Sequence, residues 1–375
     1  MTDLITETIA SMVDSTLDSA LEATDTGNLD PLWDLLATAE MPWVGIAENA
    51  GGAGGEIADQ VAVIEAVSAG ARSVPVVETG FVAGWLAEQS GLPVDRLLTV
   101  ALVPVASDDL ISAQRTADGW RITARVQRVP FARHAEEFLV LAPLGGQFRA
   151  VRLDRSRCEV AFGSNLAGEP RDELIALDVP VAEGDIGSPG PLLTPAHLLA
   201  RAALGRAIQS AAALRAVQTM TVRYAGQRTQ FGRPIAEFQA VANHLALIAA
   251  EAEAAAAITT LAIDTWSAVG SAAGSAGGSA SDSAAVTAVA AIAKARCTTA
   301  AMRANASAHQ VHGAMGISAE YPLGQLTKRL WSWGADYGDE RFWNRRLGRL
   351  VLDSGIGLWP AVLAVSGAGQ ATRST

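Results

Sequence analysis

The sequence predicts an α+β protein that is mostly α, in which a β domain separates two helical domains. Three observations support this fold class. Apolar residues recur at helical spacing before residue 97 and again from about Pro195 onward, and short β-rich runs fill the region between them. The Pro- and Gly-rich segment Ser188–Pro191 then marks a linker. We therefore expect an N-terminal helical domain at 1–97, a middle antiparallel β domain at 98–187 and a C-terminal four-helix bundle at 188–375.

The N-terminal block is expected to contain several helices. Residues 1–40 carry apolar side chains at a mostly helical spacing. A glycine-rich run at 51–55 precedes a further helix from about Ile57. This run lacks the spacing of a phosphate-binding loop, so we interpret it as a turn before that helix. Another helical pattern covers residues 73–86.

Short runs that are rich in β-branched and aromatic residues predict the strands of the middle domain. Turn residues separate the runs from one another, as expected for neighbouring strands of a sheet. The runs are Thr99–Val103, Gly119–Val126, Phe138–Ala142, Phe148–Leu153, Glu159–Phe162 and Leu174–Leu177.

The C-terminal block has the pattern of a helix bundle. A first Ala/Leu-rich helix runs from about Pro195, and a second is expected to begin at Pro234, a residue suited to the first helical position. Apolar residues from Ile235 to Ala262 form one stripe along this second helix. The Gly/Ala/Ser-rich stretch Gly270–Ser283 is interpreted as a flexible loop, and the next helix is expected from about Ala284 to Val311.

Composition and charge limit the possible functions. Half of the 375 residues are hydrophobic, which is enough for a large core. A net charge of -11 and a pI near 5.0 argue against a nucleic-acid partner. Cys158 and Cys297 lie far apart, which argues against a disulfide framework and fits a reducing cytoplasm. The chain shows neither a signal peptide nor an uncharged apolar run of about 18 residues, so we expect no membrane span.

A short polar corner that carries Arg228, Gln230 and Phe231 lies between the first two bundle helices. A guanidinium can bind a phosphate group, an amide can form hydrogen bonds, and an aromatic ring can stack on a flat ligand. Together they favour a site for an anionic, flat ligand with polar edges. Each residue alone is also ordinary in a helix–helix turn, where Arg is solvated and Phe fills the core.

A second informative segment follows the helix that is expected to end near Val311. Gly313 and Gly316 lie where this helix should stop, and backbone amides near glycines can approach a diphosphate closely. His309 and His312 are three residues apart on one helix face, which is compatible with metal binding. No Cys or carboxylate ligand follows at a suitable spacing, so we expect no metal.

Both segments resemble motifs of the acyl-CoA dehydrogenase family. The string RTQFGRPIAEFQ at 228–239 is similar to the family's flavin-binding corner, and QVHGAMGISAEYPL at 310–323 is similar to its QxxGGxGxxxEYPL segment, with Ala314 in place of the second glycine. The resemblance covers essentially the whole chain and implies that FAD is bound across a subunit interface. The residues that it implies as FAD contacts are Arg228, Gln230, Phe231, Gln239, Gln310, Gly313 and Gly316.

The resemblance also implies a reaction. In this family the flavin N5 accepts a hydride from Cβ of an acyl-CoA after a carboxylate removes a proton from Cα, and the product is a trans-2-enoyl-CoA. The α-proton of a thioester is weakly acidic, so the reaction needs a desolvated base. The usual base is the Glu of a YEGT segment. Here Tyr337 takes that place, and a phenol, with a pKa of about 10, is a poor base at neutral pH.

Two acids flank this tyrosine and are the weak candidates for the base, Asp336 and Asp339. Acids are also common on the surface near a helix start, which is the alternative interpretation of both. Some family members carry the base on the first bundle helix, where this sequence has Arg201. The loops that hold the flavin ring in the family are replaced here by Val103–Asp108 and Arg128–Arg133.

This sequence keeps the flavin-binding corner at 228–239 but has Tyr337 in place of the catalytic Glu. In this combination it resembles one subunit of the two-gene, heterotetrameric acyl-CoA dehydrogenases of actinobacteria, which act on CoA thioesters of steroid side chains. The implied function is FAD-dependent α,β-dehydrogenation of an acyl-CoA, with a paralogous partner that supplies the base. Three alternatives stay open. One is a self-sufficient homo-oligomer that uses Asp336 or Asp339, and another is a non-catalytic structural or regulatory subunit that completes the partner's FAD site. The third is a flavin monooxygenase-like use of the same fold.

Overall fold

The chain folds into helices at both ends with two small sheets between them, as the sequence predicts. The computed structural model describes residues 2–16, 28–95, 97–273, 280–318 and 321–354. A π-helical segment, Val77–Gly84, leads directly into the last N-terminal helix. The N-terminal helices are α1 Thr2–Ser15, α2 Leu32–Thr38, α3 Ile57–Ala69 and α4 Trp85–Ser90.

Sequence spacing explains how the N-terminal helices pack. Ile5, Ile9 and Val13 recur every four residues on α1, so all three lie on one face and are buried where α1 meets α3. α3 starts with a capping box in which Glu56 and Asp59 satisfy each other's backbone N–H groups. The glycine-rich run before α3 forms turns, as predicted, and Gly51 there has a φ of 93°.

The middle region contains two sheets. The order of strands is β1-β4-β5 in the first and β2-β3-β7-β6 in the second. β1 pairs with β4 in parallel, so the prediction of a purely antiparallel domain is wrong for this pair. A parallel pair needs a crossover connection, and the β2–β3 hairpin supplies it here. The strands are β1 Thr99–Leu102, β2 Leu110–Thr116, β3 Gly119–Pro130, β4 Glu137–Leu144, β5 Gln147–Asp154, β6 Glu159–Ala161 and β7 Arg171–Val181.

In the described part of residues 188–375, five helices form the C-terminal bundle. Thr194 caps the first of them by accepting a hydrogen bond from the backbone N–H of His197. The three long helices α5, α6 and α7 pack on one another, α8 packs on α5 and α7, and α9 packs on α7. They are α5 Pro195–Gln227, α6 Gln239–Ala273, α7 Ala280–His312, α8 Leu323–Ala335 and α9 Glu340–Ser354.

Two predicted boundaries in the bundle are wrong. Pro234 does not start α6, because it pairs in a short hairpin and the helix begins only at Gln239. The predicted loop Gly270–Ser283 is helical at both of its ends, since α6 continues to Ala273 and α7 begins at Ala280. Residues 274–279 lie outside the described part of the chain.

α6 combines an apolar sequence with a largely exposed surface. Over Gln239–Val269 it is long and apolar enough to cross a bilayer, by length and composition only, and a core helix of a soluble protein passes the same test. Only 33% of its most apolar stretch is buried. The expected absence of a membrane span stays a prediction. Exposed small and apolar side chains recur along one face of α6: Ala242, Ala246, Leu247, Ala250 and Ala257.

Gly80 lets the π-helical segment approach the preceding chain very closely. A Cβ built on Gly80 would lie 1.8 Å from the carbonyl oxygen of Pro42. Replacing Gly80 by Ala should therefore destabilise the fold by about 1–3 kcal/mol through overpacking. Gly348→Ala on the exposed face of α9 is the matched control, because a Cβ there meets nothing within 4 Å. We expect this control to stabilise the protein by about 0.5–1 kcal/mol.

Urea unfolding of the two variants and the wild type measures both changes. Equal stability of Gly80→Ala and wild type would show that the π-helical segment does not pack on Pro42 in solution.

Candidate functional site

The predicted polar corner is a β-hairpin between α5 and α6. Its strands, β8 Thr229–Gln230 and β9 Arg233–Pro234, pair in antiparallel fashion. Phe231 and Gly232 connect them with φ values of 52° and 80°. Positive φ at both central positions characterises a type I′ turn, whose twist matches that of the flanking strands. The ring of Phe231 is 94% exposed at the tip, so the interpretation that it fills the core is wrong.

The hairpin presents polar groups that the rest of the chain leaves available. Arg228 follows the last residue of α5, where its backbone N–H donates to Tyr224 O at 2.8 Å and its side chain is exposed. Gln230 and Gln239 are exposed as well. Among the described residues, none pairs with the guanidinium of Arg228 or with the amide of Gln230. These donors are therefore free to bind a group from another molecule.

A ring stack joins this hairpin to the second predicted segment. The rings of Tyr224 and His312 lie 4.4 Å apart at an angle of 24°. His312 Nε2 also lies 3.2 Å from the hydroxyl of Tyr321. Arg228 is four residues beyond Tyr224, and Gln310 is two residues before His312. The structure therefore brings both predicted segments to the same end of the bundle.

The two glycines of the second segment are needed for different reasons. α7 ends at His312, and Gly313 follows with a φ of 60°, a conformation that favours glycine after a helix. Gly316 is buried, and a Cβ there would lie 2.9 Å from Cβ of His312. Gly313 and Gln310 are exposed, whereas Gly316 is required by packing within its own chain. Contact of these residues with a cofactor stays a prediction.

The two histidines of α7 form hydrogen bonds within the chain. His309 Nε2 lies 3.0 Å from Thr327 Oγ1, and His312 Nδ1 lies 2.8 Å from Ala308 O. In the part of the chain that the structure describes, no group of three or more His, Cys, Asp or Glu side chains could hold a metal ion. The expected absence of a metal stays a prediction.

The place predicted for the catalytic base faces the replaced loops of the β domain. Tyr337 is buried and lines a cavity of about 140 Å³. The β domain lines the same cavity with Val103, Val105, Ala106, Asp109, Gln127, Arg128 and Pro130. Burial raises the pKa of the Tyr337 hydroxyl above its ordinary value, so at neutral pH still less of it is present as the phenolate that could accept a proton. The structure thus brings together the segments that the resemblance assigns to the flavin ring and the base.

The carboxylate of Asp336 is clamped by guanidinium groups beside this cavity. Its Oδ2 accepts from Arg171 Nη2 at 2.6 Å and from Arg206 Nε at 3.1 Å. Arg128 Nη2 lies 3.5 Å from Oδ1. Arg128 reaches this position from an irregular point of β3, where its φ is 57°.

This clamp decides the chemistry of Asp336. Burial alone would raise the pKa of Asp336, but Arg171 and Arg206 outweigh burial and lower it to about 2. A carboxylate with such a low pKa holds a proton weakly, and its oxygens are already engaged. This geometry disfavours Asp336 as the base. The alternative interpretation of Asp336 as a surface acid is wrong, because its side chain is buried.

Asp339 has the surroundings of a helix cap. It is exposed, and its Oδ1 accepts a hydrogen bond from the backbone N–H of Phe342 at 2.7 Å in the first turn of α9. An acid at this position stabilises the helix start. The interpretation as a surface acid near a helix start therefore describes Asp339 well.

The Asp336 clamp continues into the other domains. Arg206 also pairs with Glu78 of the π-helical segment, and Arg171 pairs with Glu169 at 3.0 Å. Glu169 also accepts from the indole N–H of Trp333 at 3.1 Å. Sequence reasoning missed Glu78 and Arg206, although each is a charged residue inside an apolar run. That signal could have identified both as partners in a buried pair.

FAD fits one part of the site and not the other. The exposed Arg228, Gln230 and Phe231 supply a guanidinium, an amide and an aromatic ring, which suit a dinucleotide's phosphates and flat base. The cavity at Tyr337 is about 140 Å³, well below the roughly 300–1,000 Å³ of ordinary ligand pockets. This chain by itself therefore does not enclose a flavin ring at this place.

Known proteins similar to this chain include acyl-CoA dehydrogenases. Residues 195–332 match the model of the acyl-CoA dehydrogenase C-terminal domain. The acyl-CoA dehydrogenase IpdE2 of Mycobacterium tuberculosis is 27% identical, and the match covers 87% of this chain and 89% of the relative. Residues 195–332 therefore carry the acyl-CoA dehydrogenase C-terminal domain.

Solved structures show that the acyl-CoA dehydrogenase fold extends through all three regions. The ChsE4-ChsE5 complex from Mycobacterium tuberculosis matches with a TM-score of 0.79 and 21% identity, over 93% of this chain and 97% of the other. A variant of the Tcur3481-Tcur3483 steroid ACAD matches with a TM-score of 0.77 and 21% identity, over 94% and 99%. At these identities the likeness establishes the fold.

Replacing Asp336 by Asn should strongly destabilise the protein. The variant removes one of the two carboxylates that pair with each of the buried residues Arg171 and Arg206. Breaking a buried ion pair by removing one partner costs about 3–5 kcal/mol in comparable cases. Asp339→Asn is the matched control, since Asn also caps helices well and the side chain is exposed. Urea unfolding at neutral pH should show a large loss for the first variant and a change below about 0.5 kcal/mol for the second. Equal stability of Asp336→Asn and wild type would contradict the clamp.

Acid should remove the stability that the ion pairs of Asp336 give to the wild type. The pKa of Asp336 is lowered from 3.8 to about 2, so the clamp adds stability above pH 3.8 and loses it as the pH falls toward 2. The free energy of unfolding of the wild type should therefore fall across this window. Asp336→Asn should show a smaller fall, and a fall of equal size in both proteins would assign the acid sensitivity to other groups.

Proposed function

We propose that this chain is one subunit of a hetero-oligomeric, FAD-dependent acyl-CoA dehydrogenase whose partner chain supplies the catalytic base. One observation carries the proposal: at the cavity beside Tyr337, Arg128, Arg171 and Arg206 neutralise the carboxylate of Asp336. No free carboxylate among the described residues lines this cavity in a position to act as the base, since Asp109 hydrogen-bonds the backbone of Val105, Ala106 and Gln127.

The exposed hairpin supports a role in completing the partner's cofactor site. In the proposed complex Arg228 would pair with a phosphate of FAD, Gln230 would form hydrogen bonds to it, and Phe231 would cover its flat base and exclude water. Gln239, Gln310 and Gly313 would line the same site. When bound, FAD would accept the hydride that leaves Cβ of the acyl-CoA.

The exposed face of α6 supports assembly with another chain. Ala242, Ala246 and Ala250 recur every four residues on this face, and small side chains allow a second helix to approach closely. The face begins directly after the hairpin, so a chain that packs on α6 would also lie beside Arg228 and Phe231. Two of the similar solved structures, ChsE4-ChsE5 and Tcur3481-Tcur3483, each carry the names of two proteins. This supports a paralogous partner for the present chain.

We extend the proposal to the substrate and the compartment. The substrate class is an acyl-CoA thioester, and similarity to a steroid ACAD supports a steroid side chain as its acyl group. The compartment is the cytoplasm, where Cys158 and Cys297 would stay as the free thiols that the structure contains.

Co-purification with a paralogous acyl-CoA dehydrogenase chain tests the proposal. Purified alone, this chain should be colourless, because the cavity beside Tyr337 is too small for a flavin ring. The complex should be yellow and should reduce an electron acceptor when an acyl-CoA is added. A yellow, active protein purified alone would instead support the self-sufficient homo-oligomer. A colourless complex with each paralogue would support a structural subunit without flavin.

Point variants in the complex test the residue roles. Arg228→Ala should lower FAD affinity by about tenfold or more, since a charge-assisted hydrogen bond contributes about 1.5–3 kcal/mol. Arg345→Ala on the exposed face of α9 is the matched control and should retain FAD. Asp339→Asn should leave turnover within about twofold of wild type, because loss of a helix-cap charge does not remove a base. Loss of turnover in Asp339→Asn would place the base in this chain.

A further inference from the structure

Arg201 is a buried cation whose charge no neighbouring carboxylate neutralises. It lies on the second turn of α5 with 5% of its surface exposed. Its Nε donates to Phe81 O at 2.9 Å and its Nη2 donates to Gln60 Oε1 at 3.2 Å, and both acceptors are neutral. Within the described ranges no Asp or Glu lies within ion-pair distance of it. Burying a charge in this way is costly unless a countercharge is supplied.

Aromatic rings surround this guanidinium. Its central carbon lies 3.7 Å from the ring centroid of Phe81, 5.2 Å from that of Trp266 and 5.8 Å from that of Trp85. Such contacts offset part of the cost of burial. Burial still lowers the pKa of Arg201 to about 9, against a weaker opposing effect of Glu88. The site would therefore be stabilised by an anion.

A large cavity opens beside Arg201. Its volume is about 980 Å³, which lies within the range of small-molecule sites. Trp85, Trp266 and Leu192 give it apolar walls. Glu56 and Glu88 line it as well, and Glu88 Oε1 accepts a hydrogen bond from the backbone N–H of Ala47 at 3.0 Å. These two acids oppose a ligand with more than one negative charge.

We propose that this cavity binds a small monocarboxylate with an apolar ring, whose carboxylate pairs with Arg201 and whose ring packs against the wall formed by Trp85 and Trp266, which contact each other edge to face with ring centroids 5.9 Å apart. We expect the ligand to carry a single negative charge, because the cavity offers one guanidinium without a carboxylate partner and has two acids nearby. We expect the ligand to contain an apolar ring, because aromatic side chains form the walls of the cavity. The site is separate from the hairpin, since 27 residues of α5 at 1.5 Å each put Arg201 about 40 Å from Arg228. The proposal therefore does not depend on FAD binding or on a partner chain.

Binding of 1-naphthoate and of its neutral analogue 1-naphthamide to the purified full chain tests the site. Isothermal titration calorimetry should show one binding site for the carboxylate and affinity at least about tenfold lower for the amide, because the amide lacks the charge-assisted hydrogen bond. Fluorescence of the chain should change on binding, and Trp266→Phe should reduce the change. Equal affinity for the two probes, or no binding of either, would overturn the proposal.

Arg201→Gln should abolish the preference for the carboxylate, and Arg345→Gln, which changes an exposed Arg of α9, should leave it intact. Thermal unfolding provides a second measurement that does not need the variant. The melting temperature of the wild type should rise more with 1-naphthoate than with the same concentration of 1-naphthamide. A preference for the carboxylate that survives in folded Arg201→Gln would place the anion elsewhere.

Discussion

The carboxylate of Asp336 holds the three regions of this chain together. It follows α8 of the bundle, and it binds Arg171 of β7, Arg206 of α5 and Arg128 of β3. Arg206 carries the connection onward to Glu78 in the N-terminal region. Asp336, Arg171, Arg206 and Glu78 are all buried. Each of these four charges would be costly to bury alone, and each is stabilised by partners that come from other elements. The arrangement of the domains and the balance of buried charge therefore determine each other.

This pairing of buried charges explains why the two parts of the candidate site, the cavity beside Tyr337 and the hairpin, differ. At the place beside Tyr337, guanidinium groups engage the carboxylate of Asp336, and the cavity there has a volume of only about 140 Å³. The hairpin at the far end of α5 is built in the opposite way, with exposed polar groups that have no partner in the described chain. One end of the bundle is thus closed by its own side chains, and the other end is open to a second molecule.

Sequence patterns predicted the elements better than their pairing. Helical spacing located α5, and short β-rich runs located most strands, because local periodicity reflects which face is buried. The parallel pairing of β1 with β4 joins segments more than 30 residues apart, and local spacing carries no information about it. The position of Pro234 in a hairpin was missed for a related reason. Proline suits both a helix start and a turn, and only the type I′ turn at Phe231–Gly232 decides between them.

The sequence by itself determined the fold class, the two segments that meet at one bundle end, and the absence of a Glu where Tyr337 stands. Only the tertiary structure decided that Asp336 is a buried countercharge, that Asp339 is a helix cap and that Phe231 is exposed. It alone also showed that no carboxylate of the described residues lies within ion-pair distance of Arg201. The physical reason is that the protonation state and reactivity of a side chain depend on burial and on neighbouring charges, and those neighbours come from distant parts of the chain.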